Sequence, residues 1–461
     1  MHESQKNLLG AGKKLVVLPI EIFKREFDGR LLIASHLVDR GYSVLVCPHA
    51  DPLLQEVYHS FILYKDHAES SLKRFKLWKK HGNTVAGMDD EGLIFVSPEI
   101  YIKDRVSKLV EPYCDLAYAW GQEQKQLLQF AFADQKIHVV GNPRFDLTRL
   151  YSATKSRSKV SAGFSNLAVL VNTRFVNANG FRTVEEEIAT QRQLGLVKNL
   201  SHEQAIRDFA KAEQRIIREF IRFCILASRQ PGWRITIRPH PAESPRLYQR
   251  LAERLSNVVV DNQSSLLQQM KDHDVVVHEG CTTAIEALSM QMPVFGLRPD
   301  GLDLDYGHFA NQFSENLGSA RATVERLRRL EQPCKTAISA QEVQYKINNW
   351  QSADCCQKVA ESIQAIHHRT ASFATNGSSL RRKAMISLVR KRGLVWRMLR
   401  LLPWKRLQTY LLNFDYVEQK YPQLESAWLQ ARYAEISSLH GRGGNAKIHL
   451  INEKAFLLEP T

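Results

Sequence analysis

Two rhythms of apolar and polar residues alternate along this chain of 461 residues. Short runs that are almost wholly apolar, rich in Val, Ile and Leu, are separated by longer stretches where apolar residues return every three or four positions. The first run spans 13–20. A helical segment at 30–40 follows, with Leu31, Leu32, Ala34, Leu37 and Val38 on one side. Gly41 stops it, and 42–47 is the next strand. Runs at 60–63, 84–88, 115–119 and 137–140 complete a first set. A second set comprises 166–171, 233–238, 258–260, 274–278 and 292–297, interleaved with helical patterns at 201–228 and 244–255. Unbroken apolar strands alternating with helices specify a parallel sheet covered on both faces. The expectation is therefore α/β, with two Rossmann-like doubly wound domains, 1–150 and 166–368. A Ser/Lys/Arg-rich linker at 151–165 joins them, and a basic helical extension, 369–461, follows. The stretches 176–199 and 298–313 read as loops, the first as a lid over the site.

Ligands of such sheets bind outside the carboxyl ends of the strands, and the polar sequences found there define the candidate chemistry. In the second domain these are Arg238-Pro239-His240-Pro241 and His278-Glu279-Gly280-Cys281-Thr282-Thr283. Gly280 permits a tight turn, after which Cys281, Thr282 and Thr283 offer backbone N–H groups and hydroxyls at a helix start, a phosphate-binding arrangement. His240, between two prolines, is held on a stiff loop beside Arg238. Glu286, one turn into the helix, can accept hydrogen bonds from a ribose. Asn172 and Arg174 lie at another strand end of the same domain. An ordinary capped helix with a surface histidine accounts for each residue taken singly.

In the first domain no Gly-x-Gly-x-x-Gly follows the first strand, so a dinucleotide fingerprint is absent. Glu26 and Asp28 follow that strand instead, and Asp89-Asp90-Glu91-Gly92 follows the strand at 84–88. Adjacent carboxylates repel one another and raise one pKa, which suits a general acid or base. Solvated helix-start charges and an acidic turn are the alternatives. Asn142 and Arg144 stand at the end of the last strand of this set.

The Arg-Pro-His-Pro and Gly-Cys-Thr-Thr-Ala-Ile-Glu-Ala-Leu sequences, with the strand beginning Met292-Pro293-Val294, resemble the nucleotide-sugar half of GT-B glycosyltransferases. Similar loops occur in capsule transferases using CMP-activated acids, in UDP-GlcNAc 2-epimerases and in teichoic acid glycerophosphotransferases. The capsule enzymes usually carry Ser-Ser or Ser-Thr where this chain has Cys281-Thr282-Thr283. Arg25-Glu-Phe-Asp28, Asp90-Glu91-Gly92, Trp120-Gly121 and Gly141-Asn-Pro-Arg-Phe-Asp146 resemble the bacterial surface carbohydrate biosynthesis proteins, in order from about residue 13 to 297. The resemblance implies a transferase, and because a helix dipole and basic residues can neutralise the phosphate, no metal or cofactor is expected. The transferase would move a sugar from a CMP- or UDP-linked donor to a polysaccharide or lipid-linked acceptor. Asp90 and Glu91, then Glu26 and Asp28, would act as base or nucleophile across a cleft bordered by Asn142, Arg144, Asn172 and Arg174. A sugar-nucleotide epimerase and a non-catalytic assembly scaffold are the other readings.

Composition narrows the partners. The formal charge of +15 and pI near 9.4 call for an anionic partner, while zinc-finger and RNP-type motifs are missing, which argues against nucleic acid. From Arg381 to Arg406 the chain carries ten Lys or Arg and no acid, mixed with Trp396, Trp404 and many aliphatics. That mixture suits an anionic membrane surface. No apolar run is long enough to span a bilayer, and the first residues lack a signal-peptide core. The expected location is cytoplasmic, peripheral on the inner membrane. Seven scattered cysteines point to reduced thiols rather than a zinc site.

Overall fold

The computed structural model describes residues 13–93, 97–154, 166–193, 199–302, 308–330, 338–367, 372–373, 421–441 and 446–461, with Phe95, Val197 and Thr336 singly. The chain forms two compact units. One comprises Met1–Leu147 with Gln344–Thr461, and the other Thr148–Val343.

In the first unit, β1 (Leu15–Ile20), β2 (Ser43–Pro48), β4 (Phe61–Tyr64), β5 (Thr84–Met88), β6 (Leu116–Ala119) and β7 (Ile137–Val139) form a parallel array in the order β2-β1-β4-β5-β6-β7, while the two-residue strands β3 (Val57–Tyr58) and β14 (Ser372–Phe373) pair antiparallel with each other. All six residues of β1 are buried, as expected for a strand covered on both faces. The helix Phe23–Val38 starts with Ile22, which has no capping side chain. Glu26 replaces the cap by accepting the N–H groups of Glu21 and Ile22 at 2.9 and 3.1 Å.

The second unit contains β8 (Ala168–Asn172), β9 (Arg234–Arg238), β10 (Val258–Val260), β11 (Val275–His278), β12 (Val294–Leu297) and β13 (Glu315–Leu317). All are parallel, in the order β10-β9-β8-β11-β12-β13. Numbered from β8, this is the 3-2-1-4-5-6 order of the doubly wound nucleotide-binding fold. The helix Leu200–Ser228 lays Ile216, Phe220, Phe223, Cys224 and Ala227 against β8, β9 and their neighbours. The two doubly wound α/β sheets expected from the apolar runs are present.

The division of the chain differs from the expected boundaries. Tyr151 is not linker: the helix Pro143–Thr154 continues through it, its ring is buried, and Lys271 stands 4.5 Å above the ring centroid. The second unit ends at Val343 rather than 368, because the helix Cys355–Ile366 packs on the helix Phe23–Val38 of the first unit. The end of the chain is not only helical. The strands β15 (Ala446–Asn452) and β16 (Ala455–Pro460) form a hairpin, and β16 pairs antiparallel with β2, burying Phe456, Leu457 and Leu458. Ahead of it, the helix Ser426–Ser438 is tied down by Arg432, whose Nε donates to Asp28 at 2.8 Å. The basic segment Arg381–Arg406 and the linker at 155–165 lie outside the described residues. The expected lid contains two helices, Val176–Asn179 and Val184–Gln193. Glu213 of the long helix anchors the first by accepting the N–H groups of Asn177 and Ala178 at 2.8 and 2.9 Å.

Candidate functional site

The second unit presents its polar groups where its sheet changes direction of winding. β8 and β11 are neighbours, and their carboxyl ends align with those of β9 and β12. Arg238, Asn172, His278 and Gly296 therefore stand side by side in register. Helices leave this point in opposite directions, which opens the crevice where such sheets hold ligands. Asn172 is buried. Its Nδ2 donates to Thr283 Oγ1 at 2.5 Å, and its Oδ1 has no protein partner among the described residues.

The turn after β11 is built from inside. Gly280 adopts φ 59°, where a β-carbon is disfavoured. Its N–H donates to Asn311 Oδ1 at 2.9 Å and its carbonyl accepts Arg174 Nη1 at 3.0 Å. The N–H of Cys281 is also occupied, donating to His278 Nδ1 at 3.3 Å, which corrects the expectation that it faces a ligand. With Nδ1 accepting, His278 carries its proton on Nε2, beside Ser314 Oγ at 2.5 Å. Complete burial pushes its pKa down to about 3, so it is a neutral structural group. Thr282 is exposed at the helix start and Thr283 is buried behind it. Glu279 faces Arg298 at 3.3 Å, and Glu286 is buried in the first turn of the helix Thr283–Ser289.

His240 and Arg238 sit on the adjacent strand end. Arg238 Nη1 donates to the Ser264 carbonyl at 2.6 Å and to Gln269 Oε1 at 2.8 Å, bracing the loop after β10. His240 Nδ1 accepts the Ala242 N–H at 3.2 Å, leaving Nε2 to carry the proton. Crowding by the surrounding loops, then the Arg174 and Arg238 guanidiniums, push its pKa down to about 4, although the residue keeps an exposed edge. The arrangement thus offers a neutral N–H donor beside cations, suited to an anionic ligand. Sequence reading missed Glu243. Buried below His240, it accepts the His240 N–H at 3.1 Å, Thr173 Oγ1 at 2.9 Å and the Tyr248 hydroxyl at 2.7 Å. Its place three residues after His240 in a proline-rich loop was the available signal.

In the first unit the carboxyl end of β5 brings together most of the expected residues. Asp89 is buried and accepts the Tyr101 hydroxyl at 2.9 Å. Asp90 accepts Arg30 Nη2 at 2.9 Å, and this arginine is buried beneath it. Burial raises both carboxyls to about 6, against which Arg105 pulls on Asp89 and Arg30 on Asp90. Trp120 Nε1 donates to the Asp89 carbonyl at 2.7 Å, and Arg144, 5.1 Å above the Trp120 ring, donates to the Asp90 carbonyl at 3.3 Å. The turn is thereby held from both ends. Glu91 is exposed and paired with Arg25 at 2.6 Å and with Arg105.

Three candidates have structural partners instead. Glu26 caps its own helix and accepts Arg25 Nη2 at 2.8 Å. Asp28, about 200° further round the helix, faces Arg432. Asn142 caps the helix Pro143–Thr154 through its Oδ1, which accepts the Arg144 N–H at 3.0 Å, while its backbone pairs with the Asn349 side chain.

The two raised carboxyls have a consequence for stability. Unfolded, each titrates near its ordinary 3.8; folded, near 6. The folded state therefore binds more protons between those values, and their contribution to stability falls as pH rises from about 4 to 6. Asp89→Asn removes one such group. Its stability relative to the wild type should rise by up to about 3 kcal/mol across that window, read from urea midpoints at successive pH values. A constant difference would show that Asp89 is not buried as described.

No protein-family model matches the sequence, and no curated protein matches it. Solved structures similar to it include a putative UDP-N-acetylglucosamine 2-epimerase from Listeria monocytogenes, 12% identical, with a TM-score of 0.45, covering 77% of this chain and 96% of that one. The wall teichoic acid polymerase TagF is 11% identical, with a TM-score of 0.42 and coverage of 78% and 91%. The UDP-GlcNAc 2-epimerase from Neisseria meningitidis bound to UDP-GlcNAc is 11% identical, with a TM-score of 0.41 and coverage of 77% and 100%. The α/β assignment of this chain stands on its own two sheets, one parallel throughout and one parallel except for the hairpin β15–β16 at its edge.

Proposed function

We propose that this chain is a GT-B-type glycosyltransferase that moves a sugar from a nucleotide-activated donor to a surface polysaccharide or lipid-linked acceptor. The observation that carries the reading is the in-register row Arg238, Asn172, His278 at the winding change of the second sheet. The orphaned Asn172 Oδ1 and the neutral His240 N–H flank it. The acceptor oxygen is suited to a sugar or ribose hydroxyl. His240, Thr282 and the adjacent guanidiniums suit the phosphate, whose departing charge they would stabilise without a metal.

In the reaction, an acceptor hydroxyl attacks the anomeric carbon. The bond from that carbon to the phosphate oxygen breaks, and the proton of the hydroxyl passes to a carboxylate of the first unit, for which Asp90 is the candidate. A CMP- or UDP-linked sugar fits this chemistry. The compartment in this reading is the cytoplasm, at the inner face of the membrane. Among the described residues no helix is long and apolar enough to cross a bilayer.

A thermal-shift series with CMP, UDP, CDP and GDP and their sugars tests the reading. One nucleotide should raise the melting temperature selectively, since a ligand of the native state stabilises it. His240→Ala and Thr282→Val should each weaken that nucleotide by about tenfold, the net effect of losing a hydrogen bond to a charged group. No shift with any nucleotide would refute the donor site. Conversion of the nucleotide sugar to an isomer without added acceptor would replace the transferase with an epimerase.

A further inference from the structure

The outer line of the helix Leu200–Ser228 and its C-terminal cap is basic over five positions: Lys211, Arg215, Arg218, Arg222 and Arg229. At about 100° per residue these fall within an arc of about 60°, along about 27 Å of helix. All five are exposed, and the opposite side of the helix is buried in the core of the second unit. Arg321, at the start of the neighbouring helix Ala320–Arg328, adds a sixth exposed cation. Two carboxylates lie alongside: Asp208 pairs with Lys211 at 3.4 Å and Glu219 with Arg222 at 2.5 Å. Glu219 also accepts the Ala320 N–H at 3.0 Å, joining the two helices. Arg218, Arg229 and Arg321 have no carboxylate partner among the described residues. Between Arg222, Arg229 and Arg321 the surface sinks into an open depression of about 500 Å³, floored by Ile225, Leu226 and Ala320.

A solvated helix face ordinarily mixes charges of both signs, and like charges one turn apart repel. A straight line of cations on a rigid helix, only two of them paired with carboxylates, suits a flat anionic plane. The apolar depression supplies what a soluble polyanion would leave unused, a place for the glycerol and upper acyl carbons of a lipid. We infer that this face of the second unit docks on an anionic lipid bilayer, in addition to any contact made by the segment Arg381–Arg406. The inference is independent of the donor site, which lies at the carboxyl ends of the strands.

The test is sedimentation of the full-length chain with vesicles of phosphatidylcholine alone, or with about a third phosphatidylglycerol, whose anionic headgroup supplies the negative surface that attracts basic groups. The wild type should bind only the anionic vesicles, and less at high salt. The triple variant Arg215→Gln, Arg218→Gln, Arg229→Gln should bind about 10- to 100-fold more weakly. A control triple, Arg246→Gln, Arg250→Gln, Arg254→Gln, removes equal charge from another helix and should change binding less than about threefold. Arg229→Gln with Arg321→Gln should weaken binding in the same direction, guarding against a defect particular to one variant. Wild-type binding by the first variant, equal losses in variant and control, or no binding by the wild type would each overturn the inference. So would an equal loss of affinity for dextran sulfate, which would assign the face to soluble polyanions. Nucleotide-induced stabilisation should be intact in every variant, which separates this outcome from failure of the donor site.

Discussion

Asp90→Asn should lower sugar transfer by about 10²- to 10⁴-fold, the usual loss when a general base is removed, while nucleotide affinity stays within about twofold. Asp90 is buried at the carboxyl end of β5 and paired with the equally buried Arg30 at 2.9 Å. Burial holds its pKa up at about 6, with Glu26 nearby acting in the same direction and Arg30 opposing. It is therefore ionised at neutral pH yet basic enough to take a proton. Glu91 is less suited, since it is exposed and shared between Arg25 and Arg105. Asparagine keeps the shape and an oxygen for Arg30 but cannot accept the proton. The wild-type rate should rise as pH passes upward through about 6, and the residual rate of the variant should be flat there. Removing one partner of a buried pair costs about 3–5 kcal/mol in general, so the melting temperature must be measured beside the rate. Arg30→Met supplies the comparison: it also breaks the pair but leaves the carboxylate. If Asp90→Asn turns over normally, the first unit's base lies elsewhere. If both Asp90→Asn and His240→Ala still support surface glycan in cells, the scaffold reading takes precedence.

The strands were legible because each is a local statement. Val16 to Leu18, Val169 to Val171 and Val275 to Val277 are fully buried apolar runs, and nothing distant is needed to recognise them. Strand β13, Glu-Asn-Leu, carries no such signature and exists because Phe295 to Leu297 offers a free edge. The hairpin β15–β16 was overlooked because its apolar run is short and its partner, β2, lies some 400 residues earlier in the chain. The same separation hides the partners of the candidate residues. A carboxylate near a strand end reads as chemistry until its partner is found. For Asp28 the partner is Arg432, 404 positions away. Glu243 is the converse case, unread because its partner Thr173 lies 70 positions away. Asp90 and the His278–Thr283 turn remained candidates because their surroundings come from strand ends that the apolar pattern had already aligned.

Asp146→Ala should destabilise the chain by about 3–5 kcal/mol, more than a surface carboxylate could. The residue closes the Gly-Asn-Pro-Arg-Phe-Asp sequence that sequence reading placed at a cleft, and its carboxyl is buried. It accepts the N–H groups of Cys355 and Cys356 at 3.1 and 2.7 Å and Asn349 Nδ2 at 2.6 Å. It thus satisfies buried backbone donors at the start of the helix Cys355–Ile366 that have no partner within the helix. Alanine would strand three buried donors, each costing about 1–3 kcal/mol with partial relief from entering water. The rest of the sequence serves the same junction. Gly141 stands at φ 96°, and a β-carbon there would lie 2.0 Å from Asn349 Oδ1. Phe145 packs on Trp350 with ring centroids 6.0 Å apart. Tryptophan fluorescence can therefore follow urea unfolding, and the midpoint gives the loss. Asp146→Asn, which keeps one acceptor, should lose about half as much as alanine. A loss below about 1 kcal/mol for alanine would refute the junction role. The expected loss would instead make the sequence a clasp, by which the chain returning at Gln344 is fastened to the first unit.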